Sequence, residues 1–185
     1  MNDTQTQPET TPFWRFSLHF YRQAGVSDAC IALQDDCGVD VNLLLFLFWL
    51  ADNGRLLSAA DVKRLDDGVR DWRNLTIVPI RDTRRKLKGA RTLVDPGQQE
   101  AFRNKVKAIE LDAERLQQQA LYASIASGAP GQPGDPARAA RGNVSAYQQL
   151  FGVDFPPAQV DVLIGAFDGV GHGGFAAAAS AAPRG

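Results

Sequence analysis

Apolar residues along the 185-residue chain fall into helix-length blocks, and one block differs from the rest. Leu43 to Ala51 are nine consecutive apolar residues inside "VDVNLLLFLFWLADNG". A helix that is apolar on every side is surrounded by other protein or by lipid. A membrane span needs about 20 apolar residues. This run is closed by Asp40 and Asn42 on one side and by Asp52, Asn53 and Gly54 on the other. The block therefore predicts a central core helix wrapped by neighbours.

The flanking pattern supplies those neighbours. "TPFWRFSLHFYRQAG" predicts a first helix, with Thr11 as N-cap, Pro12 at the first helical position and Gly25 at the stop. Phe13, Phe16, Ser17 and Phe20 form its inward stripe, broadened by Trp14, Leu18 and Tyr21. "VSDACIALQDDCG" predicts a second helix, capped by Ser27 and ended by Gly38, with Ala29, Cys30, Leu33 and Cys37 facing in. Asp40 then caps the core helix. Ser58 opens a fourth helix, with Asp61 as the partner in a capping box.

Val62, Leu65, Val69 and Trp72 continue the helical rhythm, and Thr76, Ile80, Thr83 and Leu87 extend it. The preferred reading is one helix over 59–88, kinked near Pro79, because a proline loses a hydrogen bond and clashes with the carbonyl four residues back. A break over 73–78, with Pro79 starting a new helix, is the alternative. Asp95, Pro96 and Gln98 open the next helix. In it Phe102, Val106, Ile109, Ala113, Leu116 and Ala120 alternate steps of four and three, a coiled-coil-like seam expected to pack antiparallel on the kinked helix.

Composition then shifts. Residues 126–142 are rich in Gly, Pro and Ala and read as a linker. Residues 143–168 regain apolar character and read as a short docking segment, while 1–10 and 169–185 read as disordered tails. The predicted fold class is all-α: a compact bundle of about five helices over 11–125 with a flexible C-terminal extension.

Charge and composition narrow the function classes. The formal net charge is −1, so any anion-binding site has to be local. The first twelve residues carry no basic residue and no apolar stretch, unlike a signal peptide, and no membrane role is expected. Cys30 and Cys37 lie seven apart, about 10 Å along a helix, which is beyond disulfide reach. A reducing, cytoplasmic setting is the simplest one.

Certain segments also carry a resemblance. "FWRFSL", "LQDDCGVDVNLLLFLFWL", Trp72, "VPIRDTRRKLK" and "ELDAERLQ" occur in this order. Together they resemble an uncharacterised proteobacterial family catalogued as a domain of unknown function, over about residues 12–120. The resemblance implies a small cytoplasmic helical protein. It carries over no activity, cofactor or site residue.

The densest chemistry is basic. Arg81, Arg84, Arg85 and Lys88 share one helical face, with Arg91 beyond, a stripe able to grip phosphate in nucleic acid or in a small ligand. The competing reading pairs these side chains with carboxylates, among them Glu100, Glu110, Asp112, Glu114, Asp35 and Asp66. Trp14, His19, Gln34, Asn42, Trp49 and Trp72 are candidates to line a pocket beside the core helix. The simpler reading makes Asp40 and Asn42 caps, bonds Gln34 to loop backbone and makes His19 part of the packing. No zinc spacing, phosphate loop, nucleophile elbow or Glu-x-x-His motif occurs, so no metal or cofactor is expected. A dyad of Cys30 or Cys37 with His19 is the one nucleophilic arrangement worth testing.

The leading functional expectation is a non-enzymatic adaptor or regulatory interaction module with a protein partner or a second copy. Its rivals are phosphate or nucleic-acid binding through 81–91 and an enzyme using the pocket.

Overall fold

The computed structural model describes residues 11–126 and 128–169. The expected tails at 1–10 and beyond Gly169 lie outside the described residues. The described residues form eight α-helices: α1 (Pro12–Tyr21), α2 (Val26–Cys37), α3 (Val41–Asp52), α4 (Ala59–Trp72), α5 (Val78–Leu87), α6 (Pro96–Ala123), α7 (Pro136–Phe151) and α8 (Pro157–Gly169). Two short strands, β1 (Arg55–Leu56) and β2 (Gln132–Pro133), pair antiparallel. The fold is helical; α4 and α5 join through a continuous turn, so residues 11–125 hold the five helices expected, and α7 and α8 add to them. Among the described residues, no helix is long and apolar enough to cross a membrane.

The core helix is α3, whose residues from Asn42 to Asp52 are all buried. Phe13, Phe16 and Phe20 of α1 pack on it, with Phe13 and Phe46 4.9 Å apart in an edge arrangement and Phe20 and Phe48 5.0 Å apart. Aromatic pairs of this kind add to area burial through their quadrupoles. Most predicted caps are in place: Thr11, Asp40, Ser58 with Asp61, and Asp95. Gly25, however, starts α2 with a φ of 78° instead of ending α1, so Ser27 falls inside the helix.

The α4–α5 stretch is continuous, and the slip in its rhythm comes earlier than Pro79. Arg73–Ile77 form a π-helical turn, in which the Val78 N–H reaches back to the Arg73 carbonyl. A proline cannot donate to the carbonyl of Leu75, and a wider turn just before it absorbs that loss. The extra residue rotates the inward face. Arg73 and Ile77 turn inward, while Trp72 is partly exposed.

That rotation turns Arg73 toward the core, where it is half-buried. Its Nη1 donates to Asp40 Oδ2 and to Asp66 Oδ1, each at 2.8 Å. Asp40 also caps α3, accepting from the N–H groups of Asn42 (2.9 Å) and Leu43 (3.2 Å). The Gln117 amide of α6 donates to Asp40 Oδ2, and the Asp40 N–H donates to the Tyr147 hydroxyl at 3.1 Å. One buried residue thus ties α3, the π turn, α6 and α7 together.

The expected linker and flexible extension need correction. Within 126–142 the chain makes β2 and then enters α7 at Pro136, with Asp135 as N-cap. Ala139, Ala140, Val144, Ala146 and Tyr147 are buried against the core. The alanines that suggest a linker form a small-residue face that lets α7 approach closely. Asn143 completes the join: its Nδ2 donates to the carbonyls of Leu47 (3.0 Å) and Arg55 (3.1 Å), and its Oδ1 accepts from Leu57 N–H (2.7 Å). Arg55 binds the carbonyls of Ala129 and Pro130, each at 2.9 Å, and that of Gly131. Residues 143–168 form the later part of α7 and most of α8, whose Phe167 lies 5.5 Å from Phe48.

The α6 seam also differs from expectation. Val106 and Ala113 are buried, but so are Glu110, Gln117, Gln118 and Leu121. Phe102 (56%), Ile109 (56%) and Leu116 (48%) are exposed. The buried face is displaced toward the polar positions because Asp40, with Arg81 and Arg84 of the neighbouring helix, finds its α6 partners there.

Two substitutions test this account. Asp40→Ala removes a buried carboxylate that caps α3 and binds Arg73 and Gln117, and should lower unfolding free energy by about 3–5 kcal/mol in urea titration. Gly131→Ala places a Cβ 2.4 Å from the Leu56 carbonyl oxygen at a φ of 79°. It should cost roughly 2 kcal/mol or more, read in the same titration.

Candidate functional site

Three predicted pocket residues and three predicted anion-binding residues meet in one cleft. Its volume is about 610 Å³. Trp14 and Tyr21 of α1, Gln34 of α2 and Asn42 of α3 line one side. Arg81, Arg84 and Arg85 of α5 line the other, with Lys107, Glu110 and Glu114 of α6. Leu18, Ile31, Val41, Leu45 and Leu111 supply apolar wall, and Ser17, Arg22 and Gln118 complete it.

The α1 wall follows from helical geometry. Phe13, Phe16 and Phe20 point into the core, so Trp14, Leu18 and Tyr21, one step around the helix, are left facing the cleft. The floor is a hydrogen-bonded chain. Ser17 Oγ donates to Gln118 Oε1 at 3.0 Å, and Gln118 Nε2 donates to Asn42 Oδ1 at 2.8 Å. Asn42 therefore binds α6 through its side chain, and Asp40 alone supplies the side-chain cap of α3.

The arginines are ordered by carboxylates. Arg81 Nε donates to Glu110 Oε1 at 2.9 Å and its Nη2 to Glu114 Oε1 at 2.6 Å. Arg84 donates to both oxygens of Glu110, at 3.1 Å for Nη2 to Oε1. Arg85 Nη2 donates to Asp35 Oδ1 at 2.6 Å on the rim. Arg81 pairs with 114 and Arg84 with 110, so α5 and α6 run antiparallel. The intramolecular alternative for these three arginines is what the structure contains. Even so, the lining holds five cations (Arg22, Arg81, Arg84, Arg85 and Lys107) and two carboxylates. Arg22 and Lys107 form no ion pair among the described residues.

The two glutamates differ electrostatically. Burial pushes the Glu110 carboxyl up, but hydrogen bonds and charge from Arg84 and Arg81 more than offset this and hold it below its usual value. For Glu114 burial dominates; the charge of Arg81 opposes it and that of Glu110 adds to it, and the carboxyl is raised. A raised carboxyl inside a cationic cleft marks a position where charge is incompletely compensated.

The remaining predicted site residues lie elsewhere. Trp49 is buried in the aromatic cluster, 5.5 Å from Phe46 and 5.6 Å from Tyr122. Trp72 donates its indole N–H to the Ala113 carbonyl at 3.0 Å. His19 is exposed, with its Nε2 3.2 Å from Gln23 Nε2. Lys88 and Arg91 are exposed and do not line the cleft. Burial pushes the Cys30 thiol up to about 12, which disfavours the thiolate that a dyad of Cys30 with His19 needs. Among the described residues, no group of three or more His, Cys, Asp or Glu could hold a metal.

A family model described as "Protein of unknown function (DUF2390)" matches residues 12–121. The chain belongs to this family. The matched region runs from α1 nearly to the end of α6, so the whole cleft lies inside it. α7 and α8, which complete the core, lie outside it. Neither a curated protein nor a solved structure matches the chain.

The glutamates give opposite expectations. The stability contributed by Glu110 is present above its unfolded value, about 4.3, and is lost as pH falls through its lower folded value. Ionising Glu114 costs stability, a cost absent in acid that appears as pH rises through its raised folded value. At pH 7, Glu110→Gln should therefore lose roughly 2 kcal/mol, while Glu114→Gln should hold or gain stability. Chemical denaturation of both variants over pH 3–8 checks the signs.

Proposed function

We propose that this protein is a binding module whose cleft takes a small anionic molecule with an apolar or aromatic body. The observation that carries the reading is the convergence of Trp14, Tyr21, Gln34 and Asn42 with Arg81, Arg84 and Arg85 around one concave space. Ligand sites combine apolar walls with a few convergent polar groups. The apolar wall would receive the body of the ligand, and the guanidinium N–H groups not used by Glu110 and Glu114 would receive its anion. Binding in this place reports to the fold, because Asn42 and Gln118 in its floor adjoin the residues that hold α3 to α6. That suits a sensor or regulatory role.

An extended nucleic-acid surface receives less support, since Arg81 and Arg84 turn into the cleft and away from Lys88 and Arg91. The protein-interaction reading draws on a different surface, the exposed apolar stripe of α6.

The test uses anilinonaphthalene sulfonate, an anionic aromatic probe, with Trp14 as fluorescence donor. Binding should weaken with salt, and energy transfer should fall more in Trp14→Phe than in Trp72→Phe. Arg85→Glu combined with Lys107→Glu should weaken binding about tenfold, or 1.4 kcal/mol. Both residues sit on the rim, and the exposed Arg85 pair is worth no more than about 1 kcal/mol to the fold. Unchanged affinity in that double variant would overturn the proposal.

A further inference from the structure

The exposed residues of α6 form an ordered set. Phe102, Ile109 and Leu116 are spaced seven apart and more than two-fifths exposed. A seven-residue spacing keeps side chains on one helical face. The stripe runs about 21 Å along the helix at 1.5 Å per residue. It lies on the opposite face of α6 from Leu111, which lines the cleft, so it is separate from the proposed ligand site. Trp72 borders it, anchored on the carbonyl of Ala113.

The charges beside this stripe are self-complementary. Lys105 and Asp112, also seven apart, share its outer flank and are both exposed. Lys105 is in no ion pair among the described residues, and Asp112 holds only Arg115, at 3.3 Å. In a two-fold antiparallel pair of α6 helices centred on Ile109, Ile109 meets its own copy and Phe102 meets the partner's Leu116. Such a two-fold axis brings the same flank of each helix together. Lys105 of one copy then lies one residue from the level of the partner's Asp112, twice per dimer. A parallel two-fold pair would put the same flank of the two helices on opposite sides of the seam, so Lys105 would not meet the partner's Asp112.

We propose that the chain forms an antiparallel homodimer through this face of α6, in the register centred on Ile109. A seam with apolar residues at one heptad position is narrow, so the dimer dissociates on dilution. The proposal does not depend on what the cleft binds.

Sedimentation velocity of the full chain between micromolar and submillimolar concentration tests it. Wild type should shift from monomer to dimer. Ile109→Glu should abolish the shift. Lys105→Glu and Asp112→Lys should each raise Kd at least tenfold, and combining them should restore wild-type association. Oxidative cross-linking adds the register: Ile109→Cys should link to its own copy, and Phe102→Cys should link to Leu116→Cys faster than to itself. All these positions are exposed, so circular dichroism should show unchanged folding. A monomer at every concentration would sink the proposal, as would a dimer indifferent to Ile109→Glu or a double charge swap that fails to restore association. Faster self-linking of Phe102→Cys would overturn the antiparallel register.

Discussion

Asp40, buried at the entrance to α3, accepts hydrogen bonds from its own helix, from Arg73 of the π turn and from Gln117 of α6. A buried carboxylate is tolerated only when its charge and its lone pairs are both answered. Answering them here requires the apolar helix, the irregular turn before Pro79 and the long helix α6 to hold one mutual register. The Asp40 N–H then holds the Tyr147 hydroxyl, which places α7 against the same point. Apolar burial supplies the drive for folding, but it is not directional. The directional constraint is this network.

The cleft follows from the same constraint. Seating Arg73 inward carries Arg81 and Arg84 around the helix to face α6, where Glu110 and Glu114 meet them. The result is a row of guanidiniums held by hydrogen bonds at the edge of a concave space, as a site that recognises an anion requires. Keeping charged groups there costs desolvation that an apolar interface would avoid. The π turn and the polar face of α6 therefore belong to one arrangement, and neither is explained by packing alone.

Membership of the DUF2390 family ends at residue 121, yet the hydrophobic core does not. Tyr147, Phe155, Leu163 and Phe167 are all buried, and Asn143 binds three backbone groups, one in the middle of α3 and two around β1. In this chain α7 and α8 close over an apolar helix that would otherwise be open to water on one side.

Much of the architecture was legible in residue order because it depends on local physics. The caps at Thr11, Asp40, Ser58 and Asp95, the inward stripe of phenylalanines on α1 and the all-round burial of α3 each follow from short-range hydrogen bonding or helical period. The Asp135-Pro136 pair repeats the cap-and-proline signature of α1 and α6, but the surrounding glycines and alanines give a linker reading there instead. What residue order could not decide was rotation about the helix axes. The π turn shifts the inward face of α5, and the demand of Asp40, Arg81 and Arg84 for partners turns α6 until Glu110 and Gln117 are inside and Phe102, Ile109 and Leu116 are outside. Periodicity finds an apolar stripe. Which face is buried depends on polar and charged groups brought together from residues 40, 73 and 117, and only the tertiary structure puts them in one place.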